Sequence, residues 1–391
     1  MVDFKKEIKL SDLRPRRSKP AGATATPTPK KAAAKSRKGR KQEIVGLKIG
    51  SSQLAASRVA NNGSAKLMQV ARGPLAHGIV VGGEVRDVEA LAVAIDAFFT
   101  EHDLPRKGIR IGIGTNRVGV RALDVEGIDD PKQLGNAVRF RAHEALSIPM
   151  DQAVLDYHVV SETADETGGL TRRVVLAAAY REPVDHFIAA CRAGGIELMG
   201  IDVEAFALLR AVAPERGAED AGTTAVVAVS IGHDRSTLAI SDGTVCDFTR
   251  VLEWGGAKLE TAIGRDLGLT VDEAAELKHE LSLVEDEPGS EADARHVRAR
   301  ASVRRELTAL GRELVASLQF YQSQPNSLAI GEILVTGGTA RMPGLVEELE
   351  RLIRAKVRLA DPLVSVEVHD AIAGRDDLGS LAVAIGLGVE R

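Results

Sequence analysis

The stretch Ile44-Val-Gly-Leu-Lys-Ile-Gly50-Ser51-Ser52 decides the fold. An apolar run of strand length breaks into glycine and serine, as a buried strand does when it enters a tight turn. The pattern returns in Val226-Val-Ala-Val-Ser-Ile-Gly232, followed by His233 and Asp234. A third run, Ile333 to Thr336, ends in Gly337-Gly338-Thr339. A duplicated strand and glycine turn predicts two related lobes facing one cleft. Backbone N–H groups of such turns converge on an anion because no Cβ stands in the way. Two of them on opposite lobes suit a polyphosphate. A third, placed before a helix, meets the nucleoside end or adds the helix dipole. Singly each is an ordinary turn after a strand.

Outward from the turns, strand and helix patterns alternate. Val88, Leu91, Ala92, Ile95, Phe98 and Phe99 recur at helical spacing, and Pro105 and Gly108 end that helix. Ile109 to Ile113 resumes a strand, in which Gly112 and Gly114 read as close backbone packing. Asp130-Pro131 opens a helix with Leu134, Val138 and Ala142 on one face. Ala153 to Val160 and Arg173 to Ala179 read as strands around a polar turn at 162–170. Val184, Phe187, Ile188 and Cys191 mark a helix stopped by Gly194-Gly195. Asp202 is placed to cap a helix carrying Phe206 and Leu209. Residues 214–222 read as an inter-lobe linker, after which a strand meander restarts. An acidic exposed loop is expected over 284–298, then a long amphipathic helix through Val303, Leu307, Leu310, Leu314, Leu318 and Tyr321. A helix is expected from Gly344. Alternation throughout makes the class α/β.

Composition excludes several functions. Aromatics are 3% of 391 residues, too few for the stacking platforms of a nucleic-acid binder, so no specific nucleic acid is expected. Residues 1–41 hold 14 Lys/Arg against 3 Asp/Glu, while the remainder holds 37 against 52. A basic tail, disordered over 1–42 by its composition, thus precedes an acidic body. The two cysteines, Cys191 and Cys246, form no metal or redox spacing. No apolar stretch approaches the roughly 18 residues of a membrane span, and no signal-peptide core opens the chain, so a cytoplasmic body is expected. The G-x-x-x-x-G-K-[ST], H-E-x-x-H and G-x-S-x-G patterns are absent. His143 and His186 read as surface or satisfied core groups, and the acids near Glu285 as a solvated face.

The paired turns resemble the phosphate-1 and phosphate-2 loops of the actin, Hsp70 and sugar-kinase superfamily, and Val335 to Thr339 resembles its adenosine loop. More specific strings resemble the PilM family of type IV pilus assembly proteins. They are Asp202-Val-Glu-Ala-Phe-Ala-Leu-Leu-Arg210, Trp254-Gly-Gly-Ala-Lys-Leu259, Arg312-Glu-Leu-Val-Ala-Ser-Leu-Gln-Phe-Tyr321, Thr336-Gly-Gly-Thr-Ala-Arg-Met-Pro-Gly-Leu345, Asp361-Pro-Leu363 with Val366-Glu-Val368, and the Ser380 to Gly386 end. Their order and number over residues 43–391 make the likeness specific.

The resemblance implies an actin-like, RNase H-like bilobed fold with four subdomains. Residues 43–216 form the first lobe, with a subdomain inserted at about 118–187 as in FtsA. Residues 217–380 form the second, and 381–391 return to the first. It implies a structural role, binding the cytoplasmic N-terminal peptide of a PilN-like inner-membrane protein and coupling it to the pilus motor ATPase apparatus. ATP, with or without Mg²⁺, is expected on Lys48, Gly50, Ser51, Ser52, Ser230, Gly232, His233, Gly255, Gly256, Lys278, Gly337, Gly338 and Thr339. The superfamily carries an acid two residues before each phosphate-turn glycine, where this chain has Lys48 and Ser230. Binding with weak or absent hydrolysis follows, with no catalytic residue or metal ligand assigned. Lys48 at a buried strand end calls for an anion, either phosphate or a nearby carboxylate. The tail suits an anionic membrane surface at the inner face of the cell membrane, or uses Phe4 to Leu13 to dock another component. The alternatives are a membrane-associated filament protein of the FtsA or MreB type and a small-molecule kinase. The kinase would need an acidic base, for which Asp124 and Asp234 are nearest in pattern.

Overall fold

The computed structural model describes residues 42–128, 130–146, 148–164, 169–213, 224–284, 293–325, 327–375 and 378–390. The tail up to residue 41, the linker and most of the acidic loop lie outside the described residues.

Strands β1 (Gln42–Ile49), β2 (Gln53–Asn61) and β3 (Ala65–Pro74) form an antiparallel meander. The hairpin β4 (Val80–Val81) and β5 (Glu84–Val85) leads into α1 (Val88–Glu101), which Asp87 caps by accepting the Ala90 N–H. Leu91, Ile95, Phe98 and Phe99 bury one face of α1, as the helical spacing predicts. Strand β6 (Lys107–Ile113) joins β1 in parallel. Then come β7 (Val118–Glu126), α2 (Pro131–Ala145), β8 (Ala153–Ala164) and β9 (Leu170–Tyr180). They make a separate sheet in the order β7-β9-β8, one face of which is covered by Leu134, Val138 and Ala142 of α2. This sheet ends at Tyr180, and α3 (Arg181–Ala193) returns Val184, Phe187 and Cys191 to the core beneath α1. Strand β10 (Glu197–Val203) adds to β6, and α4 (Glu204–Val212) follows. Asp202 is not the cap of α4. The strand runs on through Val203, so the Asp202 carboxylate accepts the Val203 N–H at 2.7 Å and pairs with Arg210.

The second half repeats the first. It comprises β11 (Thr224–Ile231), β12 (Ser236–Ser241), β13 (Cys246–Leu252), α5 (Gly256–Leu267), α6 (Val271–Glu280), α7 (Ala294–Gln322), β14 (Ala329–Thr336), α8 (Leu345–Ile353) and β15 (Val357–Leu359). The sheet orders are β10-β6-β1-β2-β3 and β15-β14-β11-β12-β13, and each parallel or antiparallel pairing in one has its counterpart in the other. A short β16 (Glu367–Val368) extends the first sheet beside β3. Helix α9 (Ala382–Gly388) crosses α4 between the two sheets. Ala205, Leu208 and Val212 of α4 share a core with Val226, Ala228 and Leu334 of the second sheet, joined by Val383 and Leu387 of α9. Among the described residues no helix is long and apolar enough to cross a membrane.

Among the described residues an ion pair ties the inserted sheet to the second lobe: Arg173 of β9 donates to Asp247 of β13 at 2.8 Å. Burial, with Asp242 nearby, pushes the Asp247 carboxyl up to about 6. A carboxyl raised by folding stabilises the native state fully below its unfolded value of about 4, and loses that contribution as pH rises through the raised one. Asp247→Asn cannot ionise. It is expected to raise the thermal midpoint over the parent chain at pH 8, with the gain closing towards pH 4. Equal midpoint shifts at both pH values would contradict this.

Candidate functional site

The two phosphate-type turns are built alike. Gly50 N–H donates to Gln53 O at 3.0 Å, and Gly232 N–H donates to Arg235 O at 3.0 Å. Both turns face one cleft because β1 and β11 hold matching places in their sheets. In the parallel register Ser230 lies opposite Thr336, which brings Gly337 against Ile231. Gly337 has φ 99°, and a Cβ there would strike the Ile231 carbonyl, so only glycine fits this turn. Gly255 and Gly256 open α5 against the second turn, where Gly256 N–H donates to Gly232 O at 2.9 Å. A Cβ on Gly256 would lie 2.5 Å from Thr339 Oγ1 and 3.2 Å from Lys278 Nζ.

The cleft measures about 540 Å³. From the first lobe Lys48, Gly50, Ser51 and Ser52 line it; from the second come Ser230, Gly232, His233, Lys278, Gly337, Gly338 and Thr339. Gly255 and Gly256 sit behind this wall, in contact with His233 and Thr339. Ser51 Oγ is buried and lacks a hydrogen-bond partner among the described residues. An unmet hydroxyl beside a glycine turn fits a phosphate oxygen.

Its electrostatics add residues that the sequence did not single out. Lys48 Nζ stands 3.6 Å from Glu204 Oε2. Glu204 is 6% exposed and lines the cleft from the β10–α4 junction. Gly112 and Gly114 make room for it: a Cβ on Gly114 would lie 2.7 Å from Glu204 Oε2. The two glycines do pack closely, and this carboxylate is what they pack against. In the second lobe half-buried Lys278 pairs with buried Glu260. Burial lowers the His233 imidazole below its ordinary value, which favours the neutral ring at pH 7. Across the cleft, Arg235 donates to Gly114 O at 2.9 Å, and Asp234 accepts the Gly82 N–H at 3.2 Å. Of the two acids weighed as a kinase base, Asp234 lines the cleft in that cross-lobe contact, and Asp124 sits on β7 of the inserted sheet.

A second cavity of about 1000 Å³ opens between the inserted sheet and the second lobe. Val118 to Arg121 of β7 and Tyr180 form one wall, and Thr249 to Trp254 form the other. Arg117 lies over the Tyr180 ring at 4.3 Å and reaches Glu84 at 3.3 Å.

A sequence profile of the family described as "Type IV pilus assembly protein PilM" matches residues 46–391. The chain belongs to the PilM family. Its fold is also that of a solved "PilM-PilN type IV pilus biogenesis complex", with 25% identity over 89% of this chain and 98% of that one and a TM-score of 0.73. Two more distant folds confirm the actin-like architecture. The ethanolamine utilization protein EutJ from Carboxydothermus hydrogenoformans shares 14% identity over 89% of this chain and 90% of its own, with a TM-score of 0.53. MreB 5 of Spiroplasma citri, bound to AMPPNP, shares 13% over 89% and 95%, also with a TM-score of 0.53. The profile and the PilM-PilN fold support the PilM reading over a membrane-associated filament protein of the FtsA or MreB type or a small-molecule kinase. Lys48 and Ser230 each stand two residues before a turn glycine, and Glu204 brings a carboxylate to within 3.6 Å of the Lys48 ammonium.

Proposed function

We propose that this protein is the cytoplasmic scaffold of a type IV pilus machine. It binds the N-terminal cytoplasmic peptide of a PilN-like inner-membrane protein and carries ATP between its lobes as a structural ligand. The observation that carries the partner is the likeness, over nearly the whole of both chains, to a PilM-PilN complex. The surface proposed for the peptide runs from Arg117 to Leu123 and along the helix beginning at Pro131. Support for ATP comes from the duplicated glycine turns, the unmet Ser51 hydroxyl and the Lys48 ammonium. Bound ATP stabilises the paired lobes by mass action, and hydrolysis is weak or absent. Finer roles extend this reading: the scaffold engages the pilus motor apparatus, and the basic tail holds it at the anionic inner face of the membrane. Each Lys or Arg near such a surface contributes about 1 kcal/mol.

Calorimetric titration with a synthetic peptide of the partner's cytoplasmic N-terminus tests the scaffold reading. Replacing residues 118–180 with a short linker is expected to abolish peptide binding and leave ATP binding intact. Peptide binding retained by that variant would refute the placement.

A further inference from the structure

We infer that Asp234 and Arg235 form a clasp that closes the second lobe onto the β4–β5 hairpin and sets how fast nucleotide enters and leaves the cleft. This rests on the reading that ATP binds between the lobes. It assigns control of ATP exchange to a second-lobe turn that grips first-lobe backbone.

The hairpin is shaped to be gripped. Val81 pairs with Glu84, so Gly82 and Gly83 are its two-residue turn, with φ of 65° and 67°. Two successive left-handed residues match the twist of the flanking strands, and glycine adopts them without strain. The foot of the hairpin is fixed to the first lobe. Val80 and Val85 are buried in that core, Arg86 N–H donates to Ile79 O at 2.8 Å, and Glu84 accepts from Arg117 at 3.3 Å. The tip therefore moves with the first lobe and carries no side chain to hold the second lobe away.

Its partner is a pair of adjacent residues of opposite charge. Arg235 O accepts the Gly232 N–H that closes the second phosphate-type turn. The side chain of the same residue reaches the first lobe. Its Nη1 donates to Gly114 O at 2.9 Å and lies over Gly83, where a Cβ would come within 2.3 Å of it. Asp234 Oδ2 accepts the Gly82 N–H at 3.2 Å and stands 3.4 Å from Arg235 Nη2. The Arg235 side chain is 14% exposed, so salt and water screen these charge-assisted bonds little. The shape of the 232–235 turn and the closure of the lobes thus meet in Arg235.

The clasp also borders the nucleotide space: Gly83, Gly114, Asp234 and Arg235 all line the cleft. Elsewhere the lobes meet through the apolar packing of α4 and α9, which permits small sliding. An exposed bond from Asn116 to Glu253 at 3.0 Å adds little to that. A ligand held between the two phosphate-type turns leaves only when they part, so opening limits its release.

Rapid mixing of the full chain with a fluorescent ATP analogue, followed by a chase with unlabelled ATP, reads entry and exit separately. Arg235→Met keeps the stem and removes the donors, and Asp234→Ala removes the acceptor of the Gly82 N–H. Each is expected to raise both rate constants at least tenfold, and so to move the affinity less than threefold. The two substitutions remove opposite charges. Weaker binding in Arg235→Met with tighter binding in Asp234→Ala would mark direct electrostatic contacts with the phosphates and overturn the clasp. Hydrogen exchange of the nucleotide-free chain gives a reading independent of ATP: amides over 79–86, Gly82 among them, should exchange at least tenfold faster in both variants. Exchange there unchanged from the parent overturns the clasp while the ATP reading stands. A parent chain that fails to bind ATP by calorimetry overturns the ATP reading and the control of its exchange together.

Discussion

Gly386→Val is expected to abolish the stable fold, lowering stability by at least about 4 kcal/mol. Helix α9 crosses α4 at Gly386, where a Cβ would overlap the Ala207 carbonyl and lie 2.6 Å from its carbon. The obstacle is backbone, so no rotamer change relieves it. The other side of α9 is as tight: a Cβ on Gly46 would lie 2.5 Å from Gly388 N. The helix cannot slide either, because its carbonyls are held one by one. Ser57 donates to Ala384 O at 2.9 Å, Arg210 to Gly386 O at 2.9 Å, and Arg110 to Leu387 O at 2.8 Å. Asn61 donates to Gly388 O at 3.0 Å. Those to Gly386, Leu387 and Gly388 answer orphan carbonyls of the helix end, and lifting α9 would break all four contacts together. Domains keep only about 5–15 kcal/mol in total, so such a loss shows as aggregation or a much lower unfolding midpoint. Gly135→Ala is the control. It lies within α2, a Cβ there would sit 3.5 Å from the Tyr157 hydroxyl, and a gain of about 0.5–1 kcal/mol is expected. A Gly386→Val chain melting within a degree or two of the parent would defeat the argument.

The parts legible in the sequence were those whose physics is local. A β-rich run ending in glycine specifies its own turn, so the echo between Ile44–Gly50 and Val226–Gly232 already announced two lobes. The structure returns that echo as identical sheet orders and the same turn hydrogen bond on each side. Glu204 was hidden because its position depends on β10 joining β6, which sets Asp202 and Val203 beside Gly112 and Ile113. The signal was present as two glycines on alternate positions, but nothing local names the group that fills the space they leave. Asp202 misled for the converse reason. Its capping chemistry is local, yet the ladder to β6 claimed the backbone first. The cavity between the inserted sheet and the second lobe depends on contacts such as Arg173 with Asp247, far apart in the chain, and no window of sequence encodes it.

ATP binding is where the Lys48–Glu204 pair yields its sharpest expectation. Lys48 sits near the end of β1, with Glu204 its nearest carboxylate at 3.6 Å and the Gly50–Ser52 turn beyond, lining the same cleft. A partly buried ammonium held by one carboxylate keeps donor capacity to spare, since it carries three N–H groups. A phosphate entering the turn takes that capacity, and Lys48→Ala removes it. The variant is expected to bind ATP about a hundredfold more weakly, roughly 2.7 kcal/mol. It also leaves Glu204 buried without its cation, so a drop in thermal midpoint accompanies the lost affinity. Glu204→Gln separates the two effects. It keeps the shape, frees Lys48 and removes a negative charge facing the phosphates. Mg²⁺-free ATP should then bind about tenfold more tightly than to the parent chain. A carboxylate beside the phosphates is also the natural ligand or water-holder for a divalent cation. The extra affinity conferred by Mg²⁺ should therefore shrink in Glu204→Gln. Calorimetric titrations of the three chains, with and without Mg²⁺, read all of these terms. Lys48→Ala binding ATP as tightly as the parent would remove Lys48 from the site. A Mg²⁺ effect unchanged in Glu204→Gln would remove the carboxylate.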